Sequence, residues 1–567
     1  MRSLSEESTL SRMLGRIRVS ALFSLLSAAS LVLAAPQPSK PPAKAAPVVG
    51  VATENGAATQ AALAELAAGG NAVDAAIVAA LVAGVASPTS SGLGGGGFAV
   101  VRMAEDRSTS VLDFRETAPA SVDVSAFERR PLPSVERGKL VGVPGEAAGL
   151  HELSRRYGKR SWRNLVGPAE RLARRGFVVE EHLAGLLRGS DAKSFQRDPG
   201  LVNVYFGGGK PAVAGQLVKN PKLGQTLSRL RNEGVKAIYD GAIADDLVAT
   251  ARSVGGALSR EDLSKYGVRE RPPLVVRWEG YEVATMPPPS AGGLMLAEVL
   301  GLYSRSELER AGLAKGLGVH LLAEAMRGAS ADRSCCVGDP DFVNTDVQKL
   351  LDSARLAKRK QQIASDRTHT VPRFLESSHG THQMVVADHH GNVIALVSTI
   401  NSSFGADLSG EKSGIVLNDQ LDDFTSNADA KKLGVEKNPN AARPFARPVS
   451  SMTPTIVFRD GRPVLALGGS GGTAIPANVT QVLLAVLVGG LAPEAAVSAP
   501  RFRPTSKDAT LLLDEGFPEV ERADLAWRGE LLRPNTSTAS AVQVLAWGEH
   551  GISAAADPRK HGRAEVR

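Results

Sequence analysis

The sequence predicts an α+β protein, an αββα sandwich in which two packed sheets are flanked by helices. Three observations carry this. Strand-like segments fall into two sets, one before about residue 116 and one from Gly380 onward. The stretch between them, Gly145 to about Leu356, is mostly of helical period. Composition is that of a soluble globular protein, 43% hydrophobic and 22% charged, so both strand sets are expected to share one continuous core.

The N-terminus reads as a processing segment. Arg16 and Arg18 precede VSALFSLLSAASLVLAA (Val19 to Ala35), an apolar run that ends in small residues. That order is a secretory signal peptide over residues 1–35, with Met13 as an alternative start. The run is too short and Ser-rich for a membrane span, although an uncleaved anchor stays open as the alternative. PQPSKPPAKAAP gives a Pro-rich linker over 36–47. The mature chain is expected to start near Pro36, periplasmic or secreted, with no stable membrane association.

After the linker, VVGVATENGAATQAALAELAAGGNAVDAAIVAALVAGVASP alternates short strands with Ala-rich helices. Gly69 and Gly70 stop one helix and Asn71 caps the next. SGLGGGGFAVVRM and STSVLDFRE read as strand, turn and strand. The helical middle follows. RKQQIASDRTHTVPRFLESSHG (Arg359 to Gly380) is polar and aperiodic, an exposed connector. Beyond it THQMVVAD, NVIALVSTIN, GIVLND, SMTPTIVFRD and PVLALGG are β-rich, then PANVTQVLLAVLVGG is helical, and AVQVLAW and GISAAAD are strands.

Net charge is +7 with Lys and Arg interleaved among acids, and aromatics make up 4% of the chain. Neither feature suits nucleic acid, so no nucleic-acid partner is expected. The cysteines, Cys335 and Cys336, are adjacent and are expected to be buried structural thiols. GLGGGGF lacks the lysine and the acidic partner of a phosphate cradle, and reads as a tight turn where two backbones approach closely. Four of ten histidines crowd into His379 to His390, but their spacing does not converge on one strand face. No metal and no cofactor is expected; His389-His390-Gly391-Asn392 reads as a hairpin turn.

GGSGGT (Gly468 to Thr473) lies between a strand and a helix, where successive N–H groups bind an oxyanion or simply lead the helix. Thr381 begins a strand after the polar connector. If the bond before it were cut, its α-amine, with a pKa of about 8, would become the base for its own hydroxyl. A purely structural threonine remains the other reading of these residues.

The chain also resembles the gamma-glutamyltranspeptidases, which are N-terminal-nucleophile hydrolases. The likeness runs from about Val48 to Arg563 through GGNAVDAA, SSGLGGGGF, DFRETAP, VPGEAAGL, EAMRGASADRS, GDPDF, STINSSFG, SGIVLNDQLDDF, PVSSMTPTIV, GGSGGT and ADPR. This resemblance implies a precursor that cuts itself between Gly380 and Thr381. It implies a large subunit over 48–380 and a small subunit over 381–567 that remain paired as a heterodimer in one fold. Thr381 is then the nucleophile, with Thr399 hydrogen-bonding it and Gly471 and Gly472 supplying oxyanion N–H groups. Arg115, Ser450 and Ser451 would bind the substrate α-carboxylate, and Asn401, Gln420 and Asp423 the α-ammonium. The implied substrate is a small gamma-glutamyl compound of the glutathione type, and the acceptor is water or an amine.

Departures bear on this. The family commonly has a second Thr and then His after the nucleophile, where this chain has His382 and Gln383. The gapless register also sets Asp388 on a family Asp. TSNADAKKLGVEKNPNAARPFAR, in the place of a lid, has Phe445 as its one aromatic residue. Two alternatives follow: an acylase for glutaryl or poly-gamma-glutamate groups, or a binding homologue that does not cut itself.

Overall fold

The computed structural model describes residues 48–368, 374, 380–506, 508–535 and 540–567. The signal peptide and linker expected over 1–47 lie outside the described residues, as does His379. Among the described residues no helix is long and apolar enough to cross a membrane.

Two antiparallel sheets form the centre. The first has seven strands in the order Arg563–Val566, Gly50–Thr53, Gly380–Ala387, Val393–Asn401, Gly96–Arg102, Thr109–Phe114 and Arg269–Arg271. The second has six, in the order Gly551–Ala556, Ala541–Gly548, Arg462–Ser470, Thr455–Arg459, Tyr281–Thr285 and Leu274–Trp278. Gly380–Ala387 and Val393–Asn401 lie against Arg462–Ser470 of the other sheet. Helix Ala72–Ala86 covers the outer face of the first sheet, and helix Ile475–Leu487 that of the second. The result is the expected αββα sandwich.

Period-2 geometry explains why the central strands are apolar throughout. Met384, Val386, Ile394 and Leu396 join the core beneath helix Ala72–Ala86, whereas Val385, Ala387, Ala395 and Val397 join the core between the sheets. Helix Ala72–Ala86 is itself nearly all buried, and Asn71 and Asp74 form a capping box at its start. Asp388 completes that junction, accepting from Ala72 N at 2.8 Å and from Asn392 Nδ2 at 2.8 Å.

Gly92 to Phe98 is indeed a close-approach segment. A Cβ on Gly94 would lie 1.9 Å from Val416 O, one on Gly95 1.9 Å from Thr399 O, and one on Gly97 2.0 Å from Val397 O. Only glycine lets these backbones meet.

Several expectations are corrected. The middle of the chain is mostly helix, as expected, but it also holds strands Arg269–Arg271, Leu274–Trp278 and Tyr281–Thr285, which join the two sheets. Glu279 and Gly280 turn the hairpin with φ of 50° and 80°, a short signal hidden between long helices. The connector begins late, since Arg359 still belongs to helix Ser353–Gln362. GIVLND makes an isolated bridge, Ser409 with Val416, and no strand. Cys335 and Cys336 are neither thiols nor fully buried: they are joined in a disulfide at the end of helix Gly316–Cys336 and are half-buried.

Candidate active site

The candidate residues converge where the central strands of the first sheet meet the loops of the second. Thr381 is the second residue of strand Gly380–Ala387 and is 3% exposed. Its neighbour strand carries one extra residue between Ser398 and Asn401, so Thr399 and Ile400 bulge opposite Thr381. A bulge re-aims side chains. Here Thr399 Oγ1 donates to Gly380 O at 2.8 Å, and Asn401 N donates to Thr399 Oγ1 at 2.9 Å. Thr381 Oγ1 donates to the same Gly380 oxygen at 2.8 Å. With the Gly380–Thr381 bond intact, Thr399 thus reaches the carbonyl of that bond, and not the Thr381 hydroxyl as expected from sequence.

Asn401 holds a left-handed φ of 74°, a conformation in which Asn is enriched, and its side chain donates to Asp419 O at 3.1 Å. Gln420 and Asp423 share the short turn Gln420–Asp423, with Gln420 Nε2 donating to Asp423 Oδ2 at 2.9 Å. Arg115 follows strand Thr109–Phe114 and is buried. Its Nη2 meets Asp423 Oδ2 at 2.6 Å, and its Nε donates to Pro448 O at 3.2 Å. The two groups expected at opposite ends of a zwitterion are therefore paired with each other.

Ser450 and Ser451 sit on a loop fixed by two backbone bonds to the segment before helix Gly292–Leu302. Ser450 N donates to Pro289 O at 2.9 Å, and Ala291 N to Ser450 O at 2.9 Å. Ser450 Oγ accepts from Met452 N at 3.1 Å. Gly471 and Gly472 have φ of 116° and 60° and turn strand Arg462–Ser470 into helix Ile475–Leu487. A Cβ on Gly471 would lie 2.7 Å from Ser540 Cα.

One pocket gathers Arg115, Thr381, Thr399, Asn401, Gln420, Asp423, Ser450, Ser451 and Gly472. Gly471 lies one residue behind it. The pocket adds Arg333, Met452 and Ile475, which sequence reasoning passed over. Arg333 lies within EAMRGASADRS, a quoted landmark in which no residue stood out.

Lys560 was also missed. It directly follows ADPR, is 3% exposed, and donates to Thr381 O at 3.1 Å, Glu54 Oε2 at 3.0 Å and Ser470 Oγ at 2.8 Å. Glu54 Oε1 accepts from Gln383 N at 3.0 Å. Burial raises the Glu54 pKa, and Lys560 opposes that rise. This network clamps the start of the Thr381 strand from behind.

The histidines diverge. His382 is buried and its Nε2 lacks a hydrogen-bond partner among the described residues. Burial, helped by Lys560 and His182, pushes its pKa down to about 3. His389 and His390 lie side by side in the exposed hairpin turn, their rings tilted by 43°. Phe445, in the segment that takes the place of a lid, is 46% exposed.

Comparison with known proteins shows the family and the fold. The family model for gamma-glutamyltranspeptidase matches residues 58–566. The chain is 35% identical over 538 residues to glutathione hydrolase 2 of Arabidopsis thaliana, covering 90% of this chain and 92% of that protein. It is 32% identical over 523 residues to the glutathione hydrolase proenzyme of Escherichia coli (strain K12), covering 90% of each. Among solved structures, the cephalosporin acylase of Bacillus halodurans superimposes with a TM-score of 0.82 at 25% identity, covering 94% of this chain and 98% of that one. The gamma-glutamyltranspeptidase of Helicobacter pylori superimposes with a TM-score of 0.54 at 30% identity, covering 57% and 93%.

Proposed function

Because this chain belongs to the gamma-glutamyltranspeptidase family, we propose that it is an exported, self-processing gamma-glutamyl hydrolase and transferase acting on glutathione-like substrates. The observation that carries this reading is the convergence of Thr381, Thr399, the Arg115–Asp423 pair and the Ser450–Ser451 loop on one pocket.

Processing begins when Thr381 Oγ attacks the Gly380 carbonyl carbon. The C–N bond breaks as the ester forms, the Thr381 nitrogen gains a proton and becomes the free α-amine, and water then hydrolyses the ester. Gly380 leaves as a carboxylate. The products are a large subunit ending at Gly380 and a small subunit beginning at Thr381, held together by their shared sheet. The leader over 1–35 directs export of this precursor, and the mature chain starts near Pro36 with the Pro-rich linker.

In turnover the freed α-amine takes the Oγ proton as Thr381 attacks the gamma-carbonyl of the substrate. The Gly471 and Gly472 N–H groups take the oxyanion, and the departing amine takes the proton. Water or an acceptor amine then releases the glutamyl group. Arg115 and the two serines hold the α-carboxylate, while Asp423, Gln420 and Asn401 hold the α-ammonium.

A second reading keeps the nucleophile and changes the acyl group, as the similarity to a cephalosporin acylase suggests. The half-buried carboxylate of Asp423 at the pocket favours a head that carries an ammonium.

The test is the N-terminal sequence and mass of each chain, followed by turnover of a gamma-glutamyl anilide and of the matching glutaryl anilide. Two chains, one beginning Thr-His-Gln-Met, with preference for the glutamyl compound, are expected. A folded protein that stays as one chain would sink the nucleophile assignment and leave a binding homologue.

A further inference from the structure

Arg333 is the second guanidinium of the pocket, and no role is assigned to it above. It stands three residues before the end of helix Gly316–Cys336 and is 9% exposed. Its Nε donates to Ser451 Oγ at 3.2 Å, which among the described residues is the one hydrogen bond this guanidinium makes. Both terminal nitrogens therefore stay uncommitted, on a side chain that lines the pocket.

Arg115 is differently placed. Its Nη2 is spent on Asp423 Oδ2 at 2.6 Å and Val449 O at 3.4 Å, and its Nε on Pro448 O at 3.2 Å. A bidentate grip on a carboxylate needs two adjacent nitrogens of one fork. Arg115 has a single nitrogen left, and Arg333 has an adjacent pair. Arg333 also decides how Ser451 acts. A hydroxyl that accepts an N–H keeps its own proton for donation. Ser451 accepts from Arg333, Ser450 accepts from Met452 N, and so both hydroxyl protons are left for an anion in the pocket.

We propose that Arg333 is a specificity-determining residue that grips the substrate α-carboxylate with its terminal nitrogens and sets Ser451 as a donor to the same group. This rests on the gamma-glutamyl reading above. Burial and the nearby Arg115 both disfavour the charge on Arg333 and Asp423 alone favours it, so a second anion in the pocket is strongly drawn to it.

The experiment compares wild type, Arg333→Met and Arg333→Lys. It measures kcat and KM for L-gamma-glutamyl anilide, and inhibition by L-glutamate and by 4-aminobutyrate, which lacks the α-carboxylate. Removing charge-assisted bonds to one carboxylate is expected to raise KM, and the inhibition constant for L-glutamate, by about tenfold or more. Arg333→Met should keep chain scission and a kcat within about threefold of wild type, and its preference for L-glutamate over 4-aminobutyrate should collapse by about tenfold. Arg333→Lys keeps the charge without the fork and should fall between the two. A merely structural residue would weaken both inhibitors alike, and that result overturns the proposal, as does an unchanged KM. If Arg333→Met does not fold, a raised KM in Arg333→Lys supports the proposal and an unchanged one overturns it. A wild type that neither cuts itself nor turns over the anilide fails the gamma-glutamyl reading itself. A working wild type with an unchanged inhibitor preference in the variants fails the Arg333 assignment alone.

Discussion

Thr399 Oγ1 and the Gly380 carbonyl oxygen lie 2.8 Å apart, and Thr381 Oγ1 lies 2.8 Å from the same oxygen. Two hydroxyls thus polarise the carbonyl whose carbon must be attacked. One of them is the nucleophile itself, which must rotate away from the oxygen to reach the carbon. Thr399 is then the donor that remains as negative charge develops.

Thr399→Val should therefore slow chain scission roughly a hundredfold, in line with the loss of one oxyanion donor. Thr399→Ser should retain most of the rate. A time course of freshly synthesised protein on a denaturing gel measures both. Scission of the valine variant at the wild-type rate would remove Thr399 from the processing step.

Lys560→Met should destabilise the protein by about 3–5 kcal/mol, because it leaves the Glu54 carboxylate buried without its cation. Adding Glu54→Gln should recover part of that loss. Denaturant midpoints of the two variants decide the matter, and equal midpoints would show that Glu54 finds another partner.

His382 predicts a pH dependence. Its folded pKa is about 3 against an ordinary 6.5. Between these values the unfolded chain binds a proton that the folded one does not, so stability rises with pH. The contribution is complete above pH 6.5 and is lost as pH falls from 6.5 towards 3. His382→Phe should flatten the unfolding midpoint over that window, and an unaltered slope would assign it to other groups.

Gly95→Ala puts a methyl 1.9 Å from Thr399 O and should disrupt both folding and scission. Gly185, inside helix Glu181–Arg188, has nothing within 4 Å of an added Cβ. Gly185→Ala should be neutral or stabilising by about 0.5–1 kcal/mol. Thermal melts of the pair test whether Gly95 is fixed by contact and not by helix or turn preference.

The central strands and their hairpin were legible because their patterns are local. Met384 to Ala387 and Val393 to Val397 are apolar on both faces, and His389 to Asn392 supply the turn between them. Asn71 announced the start of its helix in the same way, and the structure adds Asp74 as the other half of the capping box. Leu274–Trp278 and Tyr281–Thr285 were not read as strands, since each is five residues long and enclosed by longer helical segments.

The sequence by itself determined the central strands and most of the helices, most of the residues able to act at the pocket and, through long ordered motifs, the family. Only the tertiary structure decided which of them meet. Arg115 and Asp423 are 308 positions apart yet share a 2.6 Å contact, and Lys560 reaches Thr381 from 179 positions away. Arg333 belongs to a helix whose charged residues look alike in sequence, and its selection depends on the packing of Ser451 against it. Periodicity and caps are set within a few residues by backbone geometry. A charge buried against a distant partner is set by where the sheets bring the chain, and no local pattern encodes that distance.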